Sequence, residues 1–209
     1  MLGTKKLQIV VWMVLLLGLC PTFAQKPSVS AERQALDVIA ADILRVGNVP
    51  GGIEIIAGCD ALKTSALDIS GRSTDQALNM LKETERSLNW EKRSGAYLVT
   101  IQAVSSPSIA SVYLPGVHLT VRTLSEATDV LLRQEATRQR LAELKMSEAP
   151  ENLGFASINE RETRTIFLPA GALRDQLDAL ATTFGKGIWR LDQRECGAGR
   201  TFRLSWIAK

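Results

Sequence analysis

Apolar and polar positions change period several times along this chain, and each change marks an element. From Ala31 to Val46, Leu36, Ile39, Ala40 and Ile43 recur three and four apart, the spacing of one helical face. Gly51-Gly52 breaks that pattern, and Ile53-Glu54-Ile55-Ile56 reads as a strand. Ala66 to Gly71 alternates as a second short strand. Ser73-Thr74-Asp75-Gln76 follows, a Ser-x-x-Gln capping box that opens a helix with Leu78 and Leu81 on its apolar stripe. Ser87 to Arg93 and Ala96 to Gln102 alternate again around Ser94-Gly95, the pattern of a hairpin.

The pattern then recurs. At a shift of 99 residues, Leu67 and Ile69 fall on Ile166 and Leu168, Leu78 and Leu81 on Leu177 and Leu180, and Trp90 on Trp189. Leu173, Leu177, Leu180 and Phe184 give the second helix its apolar face. The closing strand, with Tyr97, Val99 and Ile101, meets Phe202, Leu204 and Trp206 at a shift of 105, which places six extra residues in the hairpin loop around Gly197-Ala198-Gly199. Upstream, Ser125 to Met146 predicts one long helix ended by Pro150. Phe155 to Ile158 predicts a short strand and Val117 to Val121 another. Ala103 to Ala110, with Ser105-Ser106-Pro107-Ser108, is the expected linker. The fold class is α+β: two small two-layer sandwiches of short mixed sheets covered by helices, over 25–104 and 111–209.

The N-terminus carries a different signal. Lys5 and Lys6 precede an apolar run from Ile9 to Leu19, and Thr22-Phe23-Ala24 puts small residues where a signal peptidase cuts, before Gln25. The run is short for a membrane span, so 1–24 reads as a secretory signal peptide. A lipoprotein reading would use Cys20, which Leu19 disfavours because that position calls for a small residue. Cleavage removes 24 residues and both early lysines, lowering the formal charge of the 209-residue chain from +3 to +1. That balance gives no reason to expect nucleic acid as a partner. The mature chain is expected in the periplasm or outside the cell, with no stable membrane insertion.

Leu67-Asp68-Ile69-Ser70-Gly71-Arg72-Ser73-Thr74-Asp75-Gln76-Ala77-Leu78-Asn79-Met80-Leu81, then Leu88-Asn89-Trp90-Glu91 and Tyr97-Leu98-Val99-Thr100-Ile101, resembles the secretin and TonB short N-terminal domain. The resemblance covers about 52–102, and 165–207 looks like a more distant copy. It implies an exported protein-interaction module with no catalytic residue and no cofactor. The expected partner is a protein of the cell envelope, and self-association is a further expectation.

Candidate chemistry is sparse. The one histidine, His118, lies in an alternating strand. No residue spacing suits a metal site or a nucleophilic triad. The mature chain keeps Cys59 and Cys196, 137 positions apart, as a candidate disulfide or two separate thiols. Trp90, Trp189 and Trp206 are candidate partner anchors wherever they reach the surface. Arg133, Arg138 and Arg140 interleave with Glu135 and Glu143 as a solvated helical face, and Gly197-Ala198-Gly199-Arg200 suits a hairpin better than a phosphate loop. The alternative to an interaction module is an exported hydrolase using Asp68, Asp75 or Glu54 in a cleft between the two domains.

Overall fold

The computed structural model describes residues 33–149 and 163–207, apart from 186 and 198. The segment 1–24 and the strand expected over 155–158 lie outside the described residues.

The first half begins with a two-residue strand β1 (Gln34–Ala35) and helix α1 (Leu36–Val46), followed by β2 (Gly51–Gly58) and β3 (Thr64–Ser65). Helix α2 (Thr74–Thr84) opens at the expected box: Ser73 Oγ accepts from the Gln76 amide, and the Gln76 side chain accepts from the Ser73 amide. Strands β4 (Leu88–Arg93) and β5 (Ala96–Gln102) form the hairpin, with Ser94 and Gly95 both at positive φ as a tight two-residue turn requires. The strand expected over Ala66–Gly71 does not form. Asp68 instead accepts from the Ser70 amide, and Gly71 sits at φ 73°, so the segment turns and drops Ile69 into the core.

The second half runs β6 (Tyr113–Leu114), β7 (Val117–Val121), α3 (Leu124–Leu132), α4 (Glu135–Glu143), β8 (Met146–Glu148), β9 (Arg164–Leu168), β10 (Gly171–Ala172), α5 (Leu173–Phe184), β11 (Ile188–Cys196) and β12 (Gly199–Ile207). The single helix expected over Ser125–Met146 is two helices and a strand. Gln134 adopts an extended conformation at ψ 141°, and the buried Thr137 hydroxyl donates at 3.0 Å to the Leu131 carbonyl, which also accepts from the Gln134 amide. The expected linker is also corrected. Ile109 and Ala110 are fully buried in a single 3₁₀ turn (Ile109–Ser111), and buried Gln193 clamps the segment by donating to Pro107 O and accepting from the Ile109 amide.

The α+β class holds. The two sets of strands meet as neighbours in one six-stranded sheet, in the order β4-β5-β2-β11-β12-β8. The joint is parallel: Ile188–Glu195 of β11 pairs residue for residue with Gly51–Gly58 of β2. Residues paired across strands point to one face, so the sheet has two apolar faces offset along its width. On one, Ile53, Ile55, Val99 and Ile101 pack under α1 and α2. On the other, Leu98, Trp189, Leu191 and Phe202 pack under α3 and α5. A ribbon of β7 and β9 closes α3 and α5 from the far side with Leu119, Val121, Ile166 and Leu168. The pair β1 and β3 holds the same place in the order of the first half.

The first half runs strand, helix, strand, strand, helix and closing hairpin; the second half follows the same order with β6, α4 and β10 added, and β4-β5-β2 stands in the sheet as β11-β12-β8 does. A side-chain bridge recurs with it. Trp90 Nε1 donates to Asn79 Oδ1 at 3.1 Å, and 99 residues later Trp189 Nε1 donates to Asp178 Oδ1 at 2.7 Å. The closing strands need a correction. Trp90 lies opposite Val99 and Trp189 opposite Trp206, so their shift is 107 rather than 105. The first hairpin closes at Arg93 and Ala96, the second at Cys196 and Gly199, so the extra residues lie between the tryptophan row and the turn, four on each strand, instead of filling the loop.

Candidate interaction surfaces

Trp189 is fully buried at the joint between the halves. Its register partner on β2 is Gly52, where an added Cβ would fall about 1.9 Å from the indole ring. Glycine is required there because the ring occupies the volume a side chain would need. Trp189 is thus a structural wedge with no surface to offer a partner. Trp206 is half-buried and donates to Thr128 Oγ1 at 2.8 Å. Trp90 is also half-buried, stacked on Tyr97 with ring centroids 6.0 Å apart. Of the three candidate anchors, Trp90 alone lies on an outer strand of the sheet.

Cys59 and Cys196 form a disulfide, with Cα atoms 4.9 Å apart. The parallel register explains the pairing: it ends at Gly58 opposite Glu195, so each cysteine is the next residue in the chain. Arg194 stitches the same end, donating to the Gly58 and Asp60 carbonyls at 3.4 and 3.2 Å.

The carboxylates expected for hydrolysis are not assembled. Asp75 accepts from the Tyr97 hydroxyl at 2.6 Å, on the face covered by α1 and α2, and this bond pushes the phenol above its usual range. Glu54 points to the opposite face, 1% exposed, with Arg174 Nη1 at 3.5 Å. Asp68 is exposed in its turn, held below the ordinary carboxylate range mainly by the Ser70 amide. The carboxyl pushed up is that of Asp178, to about 6, because burial disfavours its charge. Among the described residues no cluster of histidine, cysteine and acidic side chains could hold a metal ion. No described helix is long and apolar enough to cross a membrane.

Two surfaces stand out among the described residues. The first is the outer edge of β4, which no described strand covers. Ser87 O accepts from the Gln102 amide, so by antiparallel alternation Trp90 and Lys92 direct their backbone groups outward. Beside this edge lies a groove of about 440 Å³ walled by Arg86, Asn89, Thr100, Gln102 and Arg174. Lys82 reaches Asn89 Oδ1 at 2.8 Å, and Lys92 places its ammonium 5.3 Å from the Tyr97 ring, so cations surround the edge. Glu91 is the exception, balanced by Arg93 at 3.4 Å; Arg93 also bonds Asp175 at 2.6 Å.

The second surface is the outer face of the β7–β9 ribbon. His118 lies there, exposed, its ring 4.6 Å from that of Phe167, and Phe167 is itself 57% exposed. Tyr113, on β6 just before the ribbon, is 69% exposed. Sequence reasoning missed both aromatics. Period-two alternation could have found Phe167, because placing Ile166 and Leu168 inward forces it outward. The helical face on α4 is as expected, with Arg140–Glu143 at 3.0 Å and Arg138–Glu135 at 3.9 Å.

No protein-family model, no curated protein and no solved structure matches this chain.

Proposed function

We propose that this chain is an exported, non-enzymatic interaction module of the bacterial cell envelope. In this reading it consists of two units of the secretin and TonB short N-terminal kind and holds a partner protein at the open edge of β4. The signal-like N-terminus and the accessible disulfide support export. The recurring element order and the paired Trp–Asn and Trp–Asp bridges support a duplicated unit. The observation that carries the interaction reading is the β4 edge, which no described strand covers and which cations and a polar groove flank. Such an edge adds a strand from another chain through backbone hydrogen bonds, and groove side chains select among candidates.

A Lys92→Pro variant tests the proposal. It removes an outward backbone donor while sparing the ladder to β5. Native purification from the envelope is expected to recover a protein bound to the wild type and lost from Lys92→Pro, with circular dichroism unchanged. Equal recovery from both would place the partner elsewhere, and recovery of nothing from either would remove the interaction reading.

A further inference from the structure

The molecule already contains one occupied copy of this edge. Strand β11 stands where β4 stands in the first half, with Trp189 at the position of Trp90 in both the sheet and the side-chain bridge. The outer edge of β11 is filled by β2, in parallel, with Gly52 against Trp189 and Glu54 against Leu191. Transferred to β4 by the shift of 99, those contacts place a glycine against Trp90 and an acidic residue against Lys92. Two differences between the copies fit a site built to be filled from outside. Trp189 is fully buried under its added strand, whereas Trp90 is half-buried. Leu191 is buried, and its counterpart Lys92 is an exposed cation that would meet the acidic position.

Resting on the interaction reading above, we propose that the β4 edge accepts a parallel strand of a partner protein, with a glycine opposite Trp90 and an acidic residue opposite Lys92. The joint between the two halves is the pattern for its ligand. Any side chain opposite Trp90 would contend with the indole, as a Cβ at Gly52 does with Trp189. Backbone pairing supplies the affinity, the glycine supplies selection, and the acidic residue supplies charge complementarity with Lys92.

The probe is a labelled synthetic peptide of the sequence Gly51–Gly58 with a polar solubilising tail, added to the full mature, disulfide-bonded chain. Binding is read by fluorescence anisotropy and located by hydrogen exchange. The expected result is protection of the Trp90 and Lys92 amides, at least tenfold weaker binding of the peptide carrying Gly52→Val, and severalfold weaker binding to Lys92→Glu. The last loss should be restored when the peptide carries Glu54→Lys. Equal binding of the glycine and valine peptides, protection confined to other strands, or no binding would each overturn the strand rule. Sedimentation showing that two copies of the chain meet through β4, with the same amides protected, would overturn the choice of occupant. The outcomes separate the two claims. A partner lost from Lys92→Pro together with indifferent peptides leaves the interaction reading standing without this rule. Peptide discrimination with no envelope partner leaves the rule standing without the function.

Discussion

Asp178 and Asn79 perform one task with different chemistry: each accepts from a tryptophan Nε1. The amide does so without charge. Burial raises the Asp178 carboxyl to about 6, above its ordinary 3.8. A carboxyl whose folded value lies above its unfolded value favours folding fully at low pH, and that contribution is lost as pH rises through 6. Between pH 4.5 and 7 stability should therefore fall through Asp178. Glu85, held low chiefly by Lys63, acts in the opposite sense, and its support disappears only below the usual glutamate range. Asp178→Asn keeps the acceptor and removes the charge, making the second bridge like the first. Urea unfolding across pH should show a flatter profile and a gain at pH 7 of at most about 3 kcal/mol. An unchanged slope would show that the carboxyl is not held up. Gly52→Ala belongs to the same scale. Its methyl has no space beside Trp189, and overpacking of this kind costs about 1–3 kcal/mol, visible as a lower urea midpoint with an unchanged slope.

At the scale of elements, the ribbon of β7 and β9 separates inside from outside cleanly. Leu119 and Ile166 are buried where His118 and Phe167 are exposed. Phe167→Ser should change stability by less than about 0.5 kcal/mol, whereas Ile166→Ala should cost about 2 kcal/mol or more, both read from thermal unfolding. Elements with strong local signals were legible before the structure: the Ser73 box, the Leu173–Phe184 stripe, and the Ser94-Gly95 hairpin. Those decided by tertiary partners were not. Nothing local marks Gln134 as the residue where a helix breaks; the Thr137 hydroxyl, fully buried by the fold, bridges the break by bonding back to the Leu131 carbonyl. Pro107 and its serines carry the composition of a linker, and only the Gln193 side chain, 86 residues away, turns them into a packed strap. Neither the outer place of β4 nor its groove was legible, since β2 takes the other side of β5 and Arg174 comes to the groove from the other half of the chain.

For the whole molecule, the joint between β2 and β11 makes one sheet from two halves, and the disulfide fastens its end. Closing a loop of 137 residues corresponds to roughly 4–5 kcal/mol in the chain-entropy model, and measured gains are often smaller. Replacing both cysteines by serine should lower stability by a few kcal/mol while hydrogen exchange at Trp189 stays slow, because the wedge over Gly52 remains. Fast exchange at Trp189 in that variant would mean that the disulfide alone holds the halves together. The proposed function depends on what happens at the opposite side of the sheet. The most direct measurement is photo-crosslinking in the native envelope, with the reactive residue placed at Lys92 and, as a control, at Val38 on the exposed side of α1. The account predicts a discrete adduct to one envelope protein from Lys92, none from Val38, and a mature chain beginning at Gln25. Adducts absent from Lys92, or a chain kept inside the cell with its first 24 residues intact, would contradict it.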